Sequence, residues 1–216
     1  MKLVDLSVRE FVAEVDSASP APGGGSVSAV AASMGVGLIR MVGHLTIPKK
    51  KFQKLDEAIQ EKIIDAHESV KTLELKLIDL VDRDTDAFNA IMEAYRLPKD
   101  TDSEIKKRTK AVEQATLKAI EIPESIANIA LEALRKIGAI CTYGNKNALS
   151  DVGVSALMLY AGLEGACLNI LINLSGLSDE AMKQDFTHKV DALIKEGKSL
   201  KEDVLTEVHQ SLKAGI

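Results

Sequence analysis

Between Lys49 and Leu97 the chain holds neither Gly nor Pro, and its apolar residues return every three or four positions. At ~100° per residue, Phe52, Ile63, Val70, Leu77, Phe88 and Tyr95 fall within about 60° of one line, the pattern of a helix that buries one stripe. This predicts one helix from Lys49 to Leu97, stopped by Leu97-Pro98. A second begins at Ser103 with Glu104 in its first turn, is kinked or restarted at Pro123, and ends at Gly138. Ser178-Asp179-Glu180 opens a last helix, interrupted at Gly197. Strand-like alternation, internal repeats and low-complexity tracts do not appear.

Two segments break this amphipathic pattern by being apolar all round, Val27 to Ile39 and Val152 to Leu174. The second is long enough to span a bilayer, since ~20 residues suffice. It carries Glu164, Asn169 and Asn173, however, which are costly in lipid. Both segments are therefore expected at the centre of a helical assembly or at a subunit interface rather than in a membrane. Small residues in them (Ala29, Ser33, Gly37, Gly153, Gly162, Gly165) would let backbones approach closely. The expected fold is a single all-α domain over residues 1–216, an up-and-down bundle of long helices around two buried small-residue helices.

Composition agrees with that reading. Hydrophobic residues make up 46% of the chain but aromatics only 3%, with no Trp, so Leu, Ile, Val, Ala and Met must fill the core. The net charge of −5, with acids and bases interspersed, offers no broad basic surface for nucleic acid. Cys141 and Cys167 fit neither a disulfide framework nor a metal motif, and His44, His67, His188 and His209 are dispersed, so no metal site is expected. The acids scattered through the first 17 residues do not fit a signal peptide, and a cytoplasmic location is expected.

Against this background three polar features stand out. Asp84, in "LVDRDTDAF", lies on the apolar line of the long helix, whereas Asp82 and Asp86 project to the opposite side. Its carboxyl is either a structural group satisfied by a neighbour or a group whose pKa burial raises towards the working range of a general acid. In "SPAPGGGS", Pro20 and Pro22 hold the approach extended, Gly23, Gly24 and Gly25 allow contacts that a Cβ would block, and Ser26 can cap the apolar helix that follows. The sequence lacks the Lys-Ser/Thr ending of a phosphate loop. In "YGNKNALSD", Gly144-Asn145 reads as a turn, Ser150 as an N-cap and Asp151 as its first-turn acid, again before an apolar helix. Both buried helices thus open on a flexible or polar loop, and both could offer free backbone N–H groups to one ligand.

Four blocks, "SPAPGGGSVSAVAASMG", "DTDAFNAIMEAYRLPKDT", "GNKNALSDVGVSAL" and "GACLNILINLSGLSDE", resemble in order and spacing the C-terminal family of formiminotransferase-cyclodeaminase. That family covers the cyclodeaminase domain of the bifunctional folate enzyme and stand-alone methenyltetrahydrofolate cyclohydrolases. The resemblance spans nearly the whole chain and implies an all-helical, homo-oligomeric enzyme, a dimer or larger, acting on one-carbon tetrahydrofolate. It implies a catalytic Asp in "DRDTDAF", which falls on Asp84, with Asp82 as the second candidate. By extension Pro22, Gly23, Gly24, Gly25 and Ser26 would line the folate. Asn145, Asn147, Ser150 and Asp151 would hydrogen-bond the pterin edge or hold the carboxyl, with Asn169 and Asn173 as further candidates. Lys49, heading a run of lysines, would attract a folate glutamate tail. No bound cofactor is implied, a tetrahydrofolate derivative being the substrate. Cyclodeaminase, cyclohydrolase and a non-catalytic helical assembly module remain the three readings.

Overall fold

The computed structural model describes residues 2–214, and among them there is no strand. A short helix, α1 (Val8–Val15), is followed by five long ones: α2 (Gly24–Thr46), α3 (Glu57–Tyr95), α4 (Asp102–Tyr143), α5 (Leu149–Asn173) and α6 (Glu180–Ala214). The all-α expectation holds, and the chain runs up and down. Paired contacts fix each direction: Ser26–Asp84 and Arg40–Glu74 set α2 antiparallel to α3, Arg108–Tyr95 and Lys136–Asp65 set α4 antiparallel to α3, and Glu124–Lys189 and Arg135–Glu196 set α4 parallel to α6.

The two apolar segments become the central helices α2 and α5, packed antiparallel. Their backbones approach because side chains are missing where they cross. A Cβ on Gly162 would meet Ser28 O at 2.7 Å and Ala32 Cβ at 2.8 Å, and one on Gly35 would meet the Leu159 side chain at 2.7 Å. Ser155 Oγ donates across this contact to Gly35 O at 2.6 Å. Gly37, by contrast, faces open space, and Gly153 packs on Val208 of α6 rather than on α2. Both central helices are long and apolar enough to cross a membrane, and about half of each such stretch, 56% and 44%, is buried within the bundle.

Several predicted boundaries move, each for a local reason. The long helix begins at Glu57 rather than Lys49, because after Pro48 the chain makes a tight turn that tucks Phe52 into the core and leaves Leu55 extended. At its far end Tyr95 is exposed, not part of the buried stripe. α4 opens one residue early, on a capping box between Thr101 and Glu104, and runs straight through both Pro123 and Gly138. Pro123 has no N–H to give the carbonyl of Ala119 four residues back. That orphan is taken by α5, where Asn173 Nδ2 donates to Ala119 O at 3.0 Å. Gly197 does not interrupt α6; its bare backbone lies against Leu163 and Tyr160 of α5.

Candidate active site

Asp84 sits two-thirds along α3, facing the first turn of α2. The "PGGGS" loop meets it through absence of side chains rather than through unusual backbone angles, because no described glycine adopts a positive φ. Gly23 occupies the N-cap position and the helix starts at Gly24, so Ser26 is not the cap but the third helical residue. A Cβ on Gly25 would fall on the Asp84 carboxylate, and one on Gly24 would lie 2.9 Å from Asn169 Nδ2. The loop thus lets α3 and α5 carry polar groups right up to a helix N-terminus.

Ser26 holds the carboxyl from one side only. Its backbone N–H donates to Asp84 Oδ2 at 2.8 Å. Its Oγ lies 2.8 Å from Val81 O, 3.2 Å from Asp84 Oδ2 and 3.2 Å from Thr85 Oγ1. A serine has one hydroxyl hydrogen, and the short contact assigns it to Val81. The carboxyl therefore has one firm donor, and Oδ1 has no hydrogen-bond partner among the described residues. Burial pushes the Asp84 pKa above its ordinary value, and the Ser26 hydrogen bonds offset only part of that rise.

The open side of Asp84 faces a cavity of about 240 Å³ lined by Pro20, Gly23, Phe88, Ile91, Asn169 and Asn173, among others. None of its lining residues is Lys, Arg or His. Phe88 and Ile91 follow Asp84 at helical spacing and form its apolar wall, which the periodicity of α3 already implied. Pro22, a candidate lining residue, is buried and does not line this cavity. Asp82 is not in this cavity: its Oδ1 accepts from Leu3 N at 2.6 Å and ties the N-terminal segment to α3.

The remaining candidates gather at the other end of the bundle, a consequence of the antiparallel α2–α5 packing. Asn145 N donates to Thr46 Oγ1, at the C-terminus of α2, at 2.9 Å. Asn145 and Asn147 line a cavity of about 600 Å³ with Lys49, Lys50, Lys51 and Lys146. Ser150 is exposed inside the first turn of α5 rather than at its cap; Asn145 opens the preceding turn instead, its side chain accepting from Asn147 N at 3.1 Å. Asp151 is in that first turn, as expected. With 23 residues in α2 at ~1.5 Å each, the two cavities lie roughly 33 Å apart in one chain. The two loops therefore cannot both touch one compact head group within a protomer.

Other reactive groups are inert or dispersed. Burial pushes the thiols of Cys141 and Cys167 up to about 12, which leaves neither a nucleophile. Among the described residues no group of three or more His, Cys, Asp or Glu could hold a metal ion.

Fold and site together define an all-helical bundle that presents one desolvated carboxyl group in a cation-free cavity beside a helix N-terminus. Comparison places that arrangement in a family: the profile of the formiminotransferase-cyclodeaminase family matches residues 7–192, and the chain belongs to this family. The formimidoyltransferase-cyclodeaminase of Rattus norvegicus is 36% identical over 197 residues, 91% of this chain. This chain spans 36% of that relative's length. The methenyltetrahydrofolate cyclohydrolase of Methylorubrum extorquens is 33% identical over 94% of this chain and 95% of its own. The crystal structure of a formiminotetrahydrofolate cyclodeaminase from Thermotoga maritima superposes with a TM-score of 0.76 at 27% identity, covering 97% of this chain and 96% of that one. The named relatives in this family are thus cyclodeaminases and a methenyltetrahydrofolate cyclohydrolase.

Proposed function

We propose that the protein converts 5-formiminotetrahydrofolate to 5,10-methenyltetrahydrofolate and ammonia, with Asp84 carrying the proton. The observation that supports this most directly is the raised Asp84 carboxyl with one oxygen free in a cavity that holds no competing cation. The formimino nitrogen enters protonated. N10 attacks the formimino carbon and loses its proton. The carbon–nitrogen bond to the departing amine breaks as that amine gains this second proton and leaves as ammonia, the positive charge staying on the methenyl product. A single carboxyl that accepts the N10 proton and returns it to the leaving group closes the cycle. The balance involves no oxidant or reductant, and the tetrahydrofolate enters as substrate rather than as a resident cofactor.

A second reading has its own support. The cyclohydrolase from Methylorubrum extorquens is 33% identical to this chain, close to the 36% of the rat cyclodeaminase. In that reaction Asp84 would take a proton from water as it adds to the methenyl carbon. The carbon–N5 bond would then break as the hydroxyl proton passes to N5, giving 10-formyltetrahydrofolate with one proton released. Ammonia release from 5-formiminotetrahydrofolate, measured above the uncatalysed rate and compared with Asp84→Asn, separates the two. Release that the variant abolishes supports the deaminase. Absence of release, with Asp84-dependent hydrolysis of methenyltetrahydrofolate, supports the hydrolase. Silence in both assays overturns the enzymatic reading and returns the chain to a helical assembly role.

We further infer a cytoplasmic homodimer paired antiparallel on the exposed face of α2 and α5. Val27, Met34 and Met41 of α2 and Leu157, Leu168 and Ile172 of α5 are exposed there. A two-fold axis across the middle of that face would place one copy's Lys49–Lys51 cavity against the other's Asp84 cavity. The lysines would then meet the glutamate tail, or polyglutamate tail, of a folate whose head lies beside Asp84.

A further inference from the structure

The Asp84 cavity holds two amide side chains whose orientation is dictated by chemistry. Asn169 Nδ2 donates to Gly165 O at 2.8 Å, and Asn173 Nδ2 donates to Ala119 O at 3.0 Å. Both partners are carbonyls, which only accept, so neither amide can turn over without losing its bond. Asn173 has a special reason to stay, since Ala119 O is the carbonyl that Pro123 leaves without a helical partner. This occupies one of the two N–H groups of each amide. The acceptor half, Oδ1 in both, receives no hydrogen bond among the described residues, and both residues line the cavity.

Three side-chain oxygens are consequently open to a ligand there, beside the second N–H of each amide and the first backbone N–H groups of α2. Asp84 Oδ1, Asn169 Oδ1 and Asn173 Oδ1 are acceptors, and no cationic side chain lines the walls. Such a site can take a ligand edge that presents N–H groups, and it lacks the cationic side chain with which a carboxylate would pair. At about 240 Å³ it falls below the usual size of a whole ligand site, ~300–1,000 Å³, and suits a head group whose remainder extends outside. Asn169 lies against Gly24, next to the glycine that touches Asp84, and Asn173 is one helical turn further from it.

On the folate reading given above, we propose that Asn173 Oδ1 accepts a hydrogen bond from the 2-amino, N3–H end of the pterin, while Asn169 Oδ1 accepts from the N–H donors nearer the reacting carbon. The pterin enters with its aminopyrimidinone end deepest towards α4, its reduced ring beside Asp84, and its glutamate excluded from the cavity. The structural duty of Asn173 towards Ala119 and its duty towards the ligand use different atoms, which makes them separable by experiment.

The test is a ligand-by-variant binding cycle under anaerobic conditions, with tetrahydrofolate and its 2-desamino-2-methyl analogue. The wild-type protein is expected to bind tetrahydrofolate about tenfold or more tightly than the analogue, the effect of one lost hydrogen bond to a buried acceptor. In Asn173→Leu that preference falls to within about twofold, whatever happens to the absolute affinities. Because Asn173→Leu also orphans Ala119 O, the pair Pro123→Ala/Asn173→Leu is made in parallel; the restored N–H of residue 123 caps that carbonyl, and the loss of preference persists. A preference that survives in both variants overturns the assignment, and so does wild-type binding of the two ligands within twofold. A wild-type protein that binds neither ligand overturns the folate reading itself, an outcome distinct from either of those.

Discussion

The two ends of the central helix pair are opposites. At the start of α2 a carboxyl group stands in a cavity without a single cation. At its far end four lysines ring a cavity that no Asp or Glu lines. The first end is small and closed in by Phe88, Ile91 and Pro20; the second is more than twice the volume and rimmed by flexible side chains. Burial lets the first perturb a proton equilibrium. Exposure restricts the second to long-range attraction for anions, weakened by salt. One folate carries both needs, a proton-exchanging head and a polyanionic tail, yet about 33 Å separates the ends within a chain.

The largest expected effect breaks the first end alone. Asp84→Asn should lower turnover by roughly 10²–10⁴-fold while leaving the helical circular dichroism unchanged. Because the Asp84 pKa is raised in the folded state, its proton is held to higher pH than in the unfolded chain. Stability contributed by that proton is present at low pH and declines as pH rises through the folded pKa. The asparagine variant should remove this decline, and any rate limb that titrates with Asp84 should vanish with it. A variant melting with the wild-type pH dependence would contradict the assignment.

Gly25→Ala comes next. A methyl group there must displace the Asp84 carboxyl, so turnover should drop by at least tenfold, with about 1–3 kcal/mol of lost stability in a denaturant titration. Gly37→Ala, whose added Cβ meets nothing, is the matched control and should cost no activity.

The far end should respond differently in kind. Reversing Lys49, Lys50 and Lys51 to Glu should raise KM for a polyglutamylated substrate several-fold, leave kcat intact, and lose its effect at high salt. Mixed with Asp84→Asn chains and allowed to exchange, the charge-reversed protein should regain roughly a quarter of wild-type activity at low substrate, since one composite site in each mixed dimer is intact. Failure to regain activity would place both ends of the substrate in one chain and sink the antiparallel pairing.

The smallest effect concerns the α2–α3 contact between the two ends. His67 is buried at 4% exposure against Gly43, its Nδ1 has no hydrogen-bond partner among the described residues, and burial holds its pKa below the ordinary imidazole value. Its neutral form is the folded one, so stability should be full above the unfolded pKa and fall as pH drops towards the folded value. His67→Phe should flatten that slope in thermal melts from pH 7 to 5.

Much of this was legible in the chain. Periodicity picked out Asp84 as the polar residue on an apolar line, because a helix keeps every third or fourth side chain on one face whatever surrounds it. Apolar character all round marked α2 and α5 as central for the same reason. Boundaries were less legible where a local rule met a distant partner. Pro123 reads as a kink or restart because the residue that caps its orphaned carbonyl, Asn173, lies fifty residues away in sequence and one contact away in space. Gly138 and Gly197 read as stops, yet neighbouring helices carry them through.

The site divides along the same line. That "PGGGS" would admit a close approach is a property of missing Cβ atoms and was readable from the residues; what approaches, the Asp84 carboxyl and the Asn169 amide, depended on how α3 and α5 pack. Asp82 and Asp84, two residues apart and equal by type, became a tether for Leu3 and a desolvated acid only when α2 covered one of them. The second polar loop looked like a companion to the first, since helix starts look alike in sequence. Packing α2 and α5 antiparallel sent the two starts to opposite ends. Local periodicity and steric freedom are written in neighbouring residues, whereas direction, burial and charge environment arise only from contacts between segments, and those the tertiary structure alone decided.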